Sequence, residues 1–275
     1  MGGFTYYLGS DKNCYAKCIE NATSSTFTYS DGTPCSTSSA GSTKYFKVEP
    51  IKWCVLTSSY NGKKLLLAEN ILTANIQYYG STSCRGLSYD GHLIYPNNYK
   101  YSNIRAYLNG IENQYITDGG FVTSADIDWS DKGFLQSAFT SSAQSLIATT
   151  TVDNSAESTI DATSAMEQAS AYACADTSDK IFLLSEKEVT TRSYGFATYD
   201  SSGLGSTRIR VSTDYAKANR ADQYRNRFCG GHWWLRSPYC YNDGESLYVD
   251  YSGRADYGEG VYSVIWGVVP ALCLE

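Results

Sequence analysis

The sequence predicts an α+β fold made of short elements in irregular order. Three observations lead there. Strand-like apolar runs and capped helical stripes follow one another without a fixed order. Long stretches rich in Ser, Gly and Asn separate them, and no internal repeat imposes a period. At 275 residues the chain is long enough to bury a substantial core, and residues 1–275 read as one domain.

Residues 1–43 are rich in Ser, Thr, Gly and Asn and read as a loop-rich N-terminal segment with at most short strands. The opening lacks a basic stretch followed by an apolar one, so it does not read as a signal peptide. Strand signals begin at 45–48 and 51–57, with Pro50 confined to a strand end or bulge. Asn61-Gly62 then predicts a tight hairpin turn into a strand at 63–68. Residues 75–100 read as loop.

Ser102 or Asn103 caps a helix that carries Ile104, Tyr107, Leu108 and Ile111 on one stripe. Residues 131–139 form a second short helix, and Ser141-Ser142-Ala143-Gln144 resembles a capping box before a third. Residues 153–179 are a polar, Ala- and Ser-rich insertion. A buried strand at 180–184 leads to Ser185 and Glu188, which start a helix by the same capping pattern. The last helix spans 213–220, and a Trp-rich strand follows.

Composition narrows the function classes. Charged residues are 18% and the net charge is −6, without a long basic run. That argues against a nucleic-acid footprint and a polybasic membrane patch. No apolar run approaches a spanning helix. The nine cysteines lack Cys-x-x-Cys spacing, and only His92 and His232 accompany them, so neither a structural metal nor a cofactor is expected. The thiols read mostly as buried and reduced; a bridge among Cys14, Cys18 and Cys35 would need an oxidising compartment.

The most informative stretch is 228–275. Its ends, His232-Trp233-Trp234-Leu235-Arg236-Ser237-Pro238 and Gly267-Val268-Val269-Pro270-Ala271-Leu272-Cys273-Leu274, are apolar and strand-like. Trp233, Trp234, Val268 and Leu272 are expected in the core. Between them, residues 239–262 hold six of the chain's 25 tyrosines, mixed with Ser, Gly, Asp, Asn and Arg. Tyr with Ser, Gly and Asn gives wide amphipathic contact with few torsions to freeze, which is a paratope's composition. Alternation at Leu247 and Val249 predicts a supporting strand with Ser246 and Tyr248 facing outward. Gly244, Gly253, Gly258 and Gly260 supply turns that brace the surface. The plainer alternative is ordinary loops whose Tyr rings half-pack on the core.

These two motifs, with Lys52-Trp53-Cys54-Val55-Leu56, Ser102-Asn103-Ile104-Arg105-Ala106-Tyr107-Leu108-Asn109-Gly110 and Lys180-Ile181-Phe182-Leu183-Leu184-Ser185 in the same order, resemble a bacterial family. Its fold is C-type-lectin-like, in the variant of the formylglycine-generating enzymes. Within it the chain is similar to the variable proteins of diversity-generating retroelements, surface lipoproteins among them. The resemblance implies a surface-displayed, non-catalytic, monomeric ligand-binding protein, extracellular or held at the outer membrane by a lipid anchor outside this chain. The ligand would be a protein or other cell-surface molecule. Adenine mutation of Asn codons reaches Tyr, Cys, Ser, Asp, Arg and Ile. Tyr239, Cys240, Tyr241, Asn242, Ser246, Tyr251, Arg254, Asp256, Tyr257, Tyr262, Ser263 and Ile265 all lie in that set. With Tyr248, they are the candidate variable binding residues.

Other chemistries fare worse. His232 reads as packing rather than a general base, since no nucleophile partner is evident from spacing. Asp126 with Asp128, or Asp250 with Asp256, offer acid/base pairs, but Asp in turns is far commoner. The related oxidases use a closely spaced cysteine pair to bind copper; Cys229 and Cys240 do not keep that spacing. Tyr95-Pro96-Asn97 and Tyr241-Asn242-Asp243 partly echo the calcium-dependent sugar motifs of C-type lectins, which makes a carbohydrate-binding lectin-like module the alternative. Gly230-Gly231 and Gly203-x-Gly205 lack the setting of a phosphate cradle.

Overall fold

The computed structural model describes residues 5–22, 27–35, 41–79, 87–89, 92–112, 128–159, 170–197, 205–224, 230–255 and 257–275. The architecture is α+β, with short helices around sheets whose named strands all pair antiparallel. Asp126, Asp256, Gly203, Phe228 and Cys229 lie outside the described residues.

An N-terminal sheet has the order β1 (Tyr6–Leu8), β2 (Cys14–Ile19), β3 (Thr43–Lys47). This corrects the loop expected for much of 1–43: β2 is a full six-residue strand. The central sheet pairs β4 (Trp53–Tyr60) with β5 (Lys63–Ala68) through the predicted turn, whose Asn61 and Gly62 have φ of 49° and 79°. Two positive φ values are what a two-residue primed turn demands, and Asn-Gly meets that demand at low cost.

Within residues 75–100, where the sequence predicts loop, lies the short pair β6 (Leu87–Tyr89) and β7 (His92–Ile94). β8 (Ile147–Ala148), β11 (Ile181–Phe182) and β15 (Ala271–Leu274) join the central sheet, while β9 (Thr150–Val152) pairs β10 (Thr177–Asp179). β12 (Trp233–Pro238), β13 (Glu245–Val249) and β14 (Tyr257–Gly260) form a third antiparallel sheet.

Helix starts follow the local chemistry closely. Ser102 Oγ accepts from Arg105 N to open Asn103–Asn109, and Gly110 in the left-handed region closes it. Ile111 falls beyond that stop and is exposed. Thr140, one residue before the expected cap, starts Ser141–Leu146. Ser185 and Glu188 form a complete capping box on Glu186–Val189, and Thr213 caps Asp214–Ala218.

The main core gathers Leu65, Leu67, Ile104, Phe182, Leu183, Trp233, Trp234, Val268 and Leu272. Trp233, Trp234 and Val268 are fully buried and Leu272 nearly so, as the apolar frame predicted. Leu235, Arg236 and Ser237 are equally buried, so β12 is covered on both faces. A smaller cluster of Cys18, Ala22, Phe27, Tyr29, Cys35 and Ala218 lies beneath the N-terminal sheet. The seven described cysteines are free; Cys14 and Cys54 are exposed rather than buried, and burial pushes the Cys18 thiol up to about 11. No described helix is long and apolar enough to cross a membrane.

Candidate functional site

The candidate surface stands on β12, β13 and β14. The register sets Trp233 against Val249 and Trp234 against Tyr248, then shifts before pairing Pro238 with Ser246. On the other side Tyr248 lies opposite Tyr257 and Leu247 opposite Gly258. Trp234 N also donates to Gly267 O at 3.0 Å, and Gly267 N returns to His232 O at 2.8 Å. The two apolar motifs thus hold each other, and the Tyr-rich segment loops out between them.

Each loop is tied down by polar groups. In the first, Tyr239 N donates to Glu245 O, Gly244 N donates to Asn242 Oδ1 at 3.0 Å, and Asn242 Nδ2 donates to Glu245 Oε1 at 2.7 Å. The buried Asn97 clamps this loop from behind: its Nδ2 donates to Asn242 O at 3.1 Å and Glu245 O at 3.0 Å. In the second, Asp250 Oδ1 accepts from Ser252 N, Ser252 Oγ and Arg254 N, all within 2.9 Å. That carboxylate organises a turn. In the third, Gln77 Nε2 donates to Tyr262 O at 2.9 Å.

Gly258 and Gly260 matter through close approach. A Cβ on Gly258 would lie 2.4 Å from the Tyr239 ring, and one on Gly260 would lie 2.6 Å from the Tyr262 ring. Only a bare backbone lets both tyrosines lie flat along β14.

A column of rings rises from the core to the surface. Trp234, fully buried, meets Trp266 edge-on at 6.5 Å. Trp266 stacks on Tyr248 at 5.0 Å with the planes 7° apart. Tyr248 stacks on Tyr257 at 6.4 Å, and the Arg254 guanidinium sits 4.6 Å over the Tyr257 ring. A side branch runs through His232, 4.2 Å from Trp266, to Tyr251 and Tyr224, which stack at 4.2 Å. His232 Nδ1 lies 2.7 Å from Asp222 Oδ2, which fixes the imidazole as the hub of this branch. It is 5% exposed and surrounded by rings, as packing requires.

The candidate residues therefore separate by depth. Tyr241, Arg254, Tyr257 and Tyr262 are exposed, with Tyr241 at 66% and Tyr262 at 54%. Tyr239, Asn242, Tyr248, Tyr251, Ser263 and Ile265 are half-buried. Two expectations are corrected. Ser246 does not face outward: it is fully buried, and its hydroxyl lies within hydrogen-bond reach of Leu235 O (3.3 Å) and Ser237 O (3.0 Å). β13 is covered on both faces there, so its serine needs internal partners and finds them. Cys240 is also buried, at the base of the first loop, and burial raises its thiol.

Sequence reasoning missed Tyr224, Trp266, Asp222 and the clamp by Asn97. Tyr224 and Trp266 lie outside the Tyr-rich window, and their only signal was being aromatic close to it in sequence. The two partial calcium-motif echoes do meet in space: the Asn97 amide nitrogen is committed to backbone carbonyls, while its Oδ1 is buried without a hydrogen-bond partner among the described residues. Among the described residues no group of three or more His, Cys, Asp or Glu is placed to hold a metal. Chelation by EDTA is expected to leave the thermal unfolding midpoint unchanged; a marked fall would reveal a structural metal.

The family model DUF6273, described as a domain of unknown function, matches residues 61–275. That span holds the C-terminal sheet and the central sheet from β5 onward, and leaves out β1 to β4. No curated protein matches, and no solved structure does.

Proposed function

We propose that this chain, which belongs to the DUF6273 family, is a surface-displayed ligand-binding protein with a C-type-lectin-like fold, in which retroelement diversification of the C-terminal face varies ligand specificity and no catalysis occurs. The observation that carries the reading is the ring column. Tyr257 and Arg254 present exposed aromatic and cationic groups that stand on a buried Trp frame, and the exposed Tyr241 and Tyr262 add rings on the neighbouring loops. A surface of that kind varies its contacts without moving its scaffold, and it loses little side-chain entropy on binding. Exposed aromatic patches with an Arg at the rim are also where binding energy concentrates.

The depth ordering sharpens which positions serve affinity. Changing Tyr241, Arg254, Tyr257 and Tyr262 together to Ser is expected to keep the circular dichroism spectrum. Each exposed change should alter stability by about 0.5 kcal/mol or less. Ligand binding should be lost, because central Tyr and Arg anchors contribute about 2 kcal/mol or more each. A variant that fails to fold would make these side chains structural and end the reading. Diversification has its own test in the flanking DNA: a near-copy of the codons for about 230–270, differing only at adenines, beside a reverse transcriptase. For a carbohydrate-binding lectin-like module at this face, sugar binding would have to depend on calcium, which an array run with and without EDTA reads directly.

A further inference from the structure

The N-terminal sheet lies outside the family-matched span and carries a second, unrelated surface. Its inner face is committed. Tyr6 Oη donates to Ser137 O at 2.5 Å, Cys18 sits in the small buried cluster, and Phe46 packs on Tyr29 and Tyr215. Side chains alternate across a strand, so residues 7, 15, 17, 45 and 47 share the opposite face. The register places Tyr7 beside Tyr15 and Tyr15 beside Lys47, while Lys17 stands opposite Tyr45.

That face carries a shallow, open recess. Tyr7, Tyr15 and Tyr45, with Ser10 and Asp11 from the β1–β2 turn, line a cleft of about 430 Å³. Tyr7 and Tyr45 are 39% and 51% exposed, and their rings meet edge-on at 5.1 Å. Two ring faces at a steep angle form a corner, open to solvent. Tyr15 is held in place, since its hydroxyl donates to Asp11 Oδ2 at 2.7 Å, and Asn13 donates to both oxygens of the same carboxylate.

We propose that this cleft is a saccharide-binding site selective for acidic sugars. A pyranose ring offers an apolar C–H face, which stacks on a tyrosine ring, and an edge of hydroxyls, which suits the Tyr hydroxyls, Ser10 and Asp11. The Asp11 carboxylate lines the cleft but is already hydrogen-bonded by Asn13 and Tyr15, and two lysines beside the lining rings outnumber it and give the sign of the ligand. Lys17 and Lys47 are exposed cross-strand neighbours of Tyr45 and Tyr15, so a uronate carboxylate on a stacked sugar lies within their reach. A single-stranded nucleic acid also uses rings and lysines. It would need a longer basic track than two lysines, on a chain whose net charge is −6.

The experiment is a calorimetric titration of the full chain with tetragalacturonate, with cellotetraose and with a short oligo-dT as comparators. Saturable binding of tetragalacturonate is expected. Tyr7→Ala and Tyr45→Ala should each weaken it by tenfold or more at an unchanged melting temperature. Lys17→Ala with Lys47→Ala should weaken it several-fold and flatten its salt dependence, whereas the fourfold Ser variant of the C-terminal face should bind it as the parent does. No saturable binding, tighter binding of cellotetraose or oligo-dT, or tetragalacturonate affinity that survives both tyrosine changes would each overturn the proposal.

Discussion

Replacing Arg236 with alanine is expected to destabilise the fold by about 3–5 kcal/mol, the usual cost of breaking a buried ion pair from one side. Arg236 is 1% exposed at the centre of β12. Its Nη1 and Nη2 form a two-pronged pair with Glu188, the second at 2.9 Å, and Nη1 also donates to Leu183 O at 2.9 Å. Glu188 is further held by Ser185 N at 2.8 Å and the Tyr60 hydroxyl at 2.7 Å. Removing the guanidinium leaves a buried carboxylate whose charge has lost its partner. Chemical denaturation measures the loss, and a change below about 1 kcal/mol would show that the pair is not held as described.

The same site gives a pH signature. Burial alone would push the Glu188 carboxyl up, but Arg236, Ser185 N and Tyr60 together hold it below the ordinary carboxylate value. A carboxyl whose folded pKa lies below its unfolded one contributes fully above the unfolded value. That contribution is lost as pH falls through the folded one. In Arg236→Ala the lowering partner is gone and burial raises the carboxyl instead. The stability gap between parent and variant should therefore narrow on going from pH 7 to about pH 4, near the ordinary carboxylate range. Pairing Arg236→Met with Glu188→Gln should recover much of the loss, because no unpaired charge remains and an amide oxygen still serves Ser185 or Tyr60.

Sequence read most clearly where a local rule and the tertiary environment agree. Asn61-Gly62, the Ser185–Glu188 box and the burial of Trp233 and Trp234 each follow from chemistry within a few residues. It read poorly where neighbours distant in sequence decide. Cys14–Ile19 pairs with strands on both sides, yet only Cys18 is buried and the other five residues are half-buried or exposed, so Cys-Tyr-Ala-Lys-Cys-Ile carries no clean alternation. Alternation from Leu247 and Val249 points Ser246 outward, yet Ser246 is buried. With both faces of β13 covered, alternation no longer reports depth. The candidate surface was legible as a composition, but its order was not. Trp266 as the foot of Tyr248, and Asn97 as the clamp on the first loop, come from segments 18 and 145 residues away, and no pattern within the Tyr-rich window carries them.

Truncating Trp233 or Trp234 to alanine is expected to cost about 3–5 kcal/mol each, since both rings are fully buried in the main core. Their phenylalanine variants should part company. Trp233 Nε1 donates to Arg208 O at 3.2 Å, so Trp233→Phe strands a buried carbonyl as well as removing volume. Trp234 Nε1 is buried without a hydrogen-bond partner among the described residues, so Trp234→Phe removes an unsatisfied donor along with the volume. A buried unpaired polar group costs about 1–3 kcal/mol. Trp233→Phe should therefore be the more damaging of the two by at least about 1 kcal/mol in denaturant melts. Unchanged midpoints for both alanine variants, or a costlier Trp234→Phe, would overturn the core assignment or the hydrogen-bond argument respectively. Trp234 has a second consequence, because it is the buried foot on which Trp266, Tyr248 and Tyr257 stand in turn. Trp234→Ala should therefore loosen Tyr248 and Tyr257, read as broadened ring resonances, whereas Trp233→Ala should leave those two rings ordered. Stability and the order of the exposed face would then fail together at one tryptophan and separately at the other.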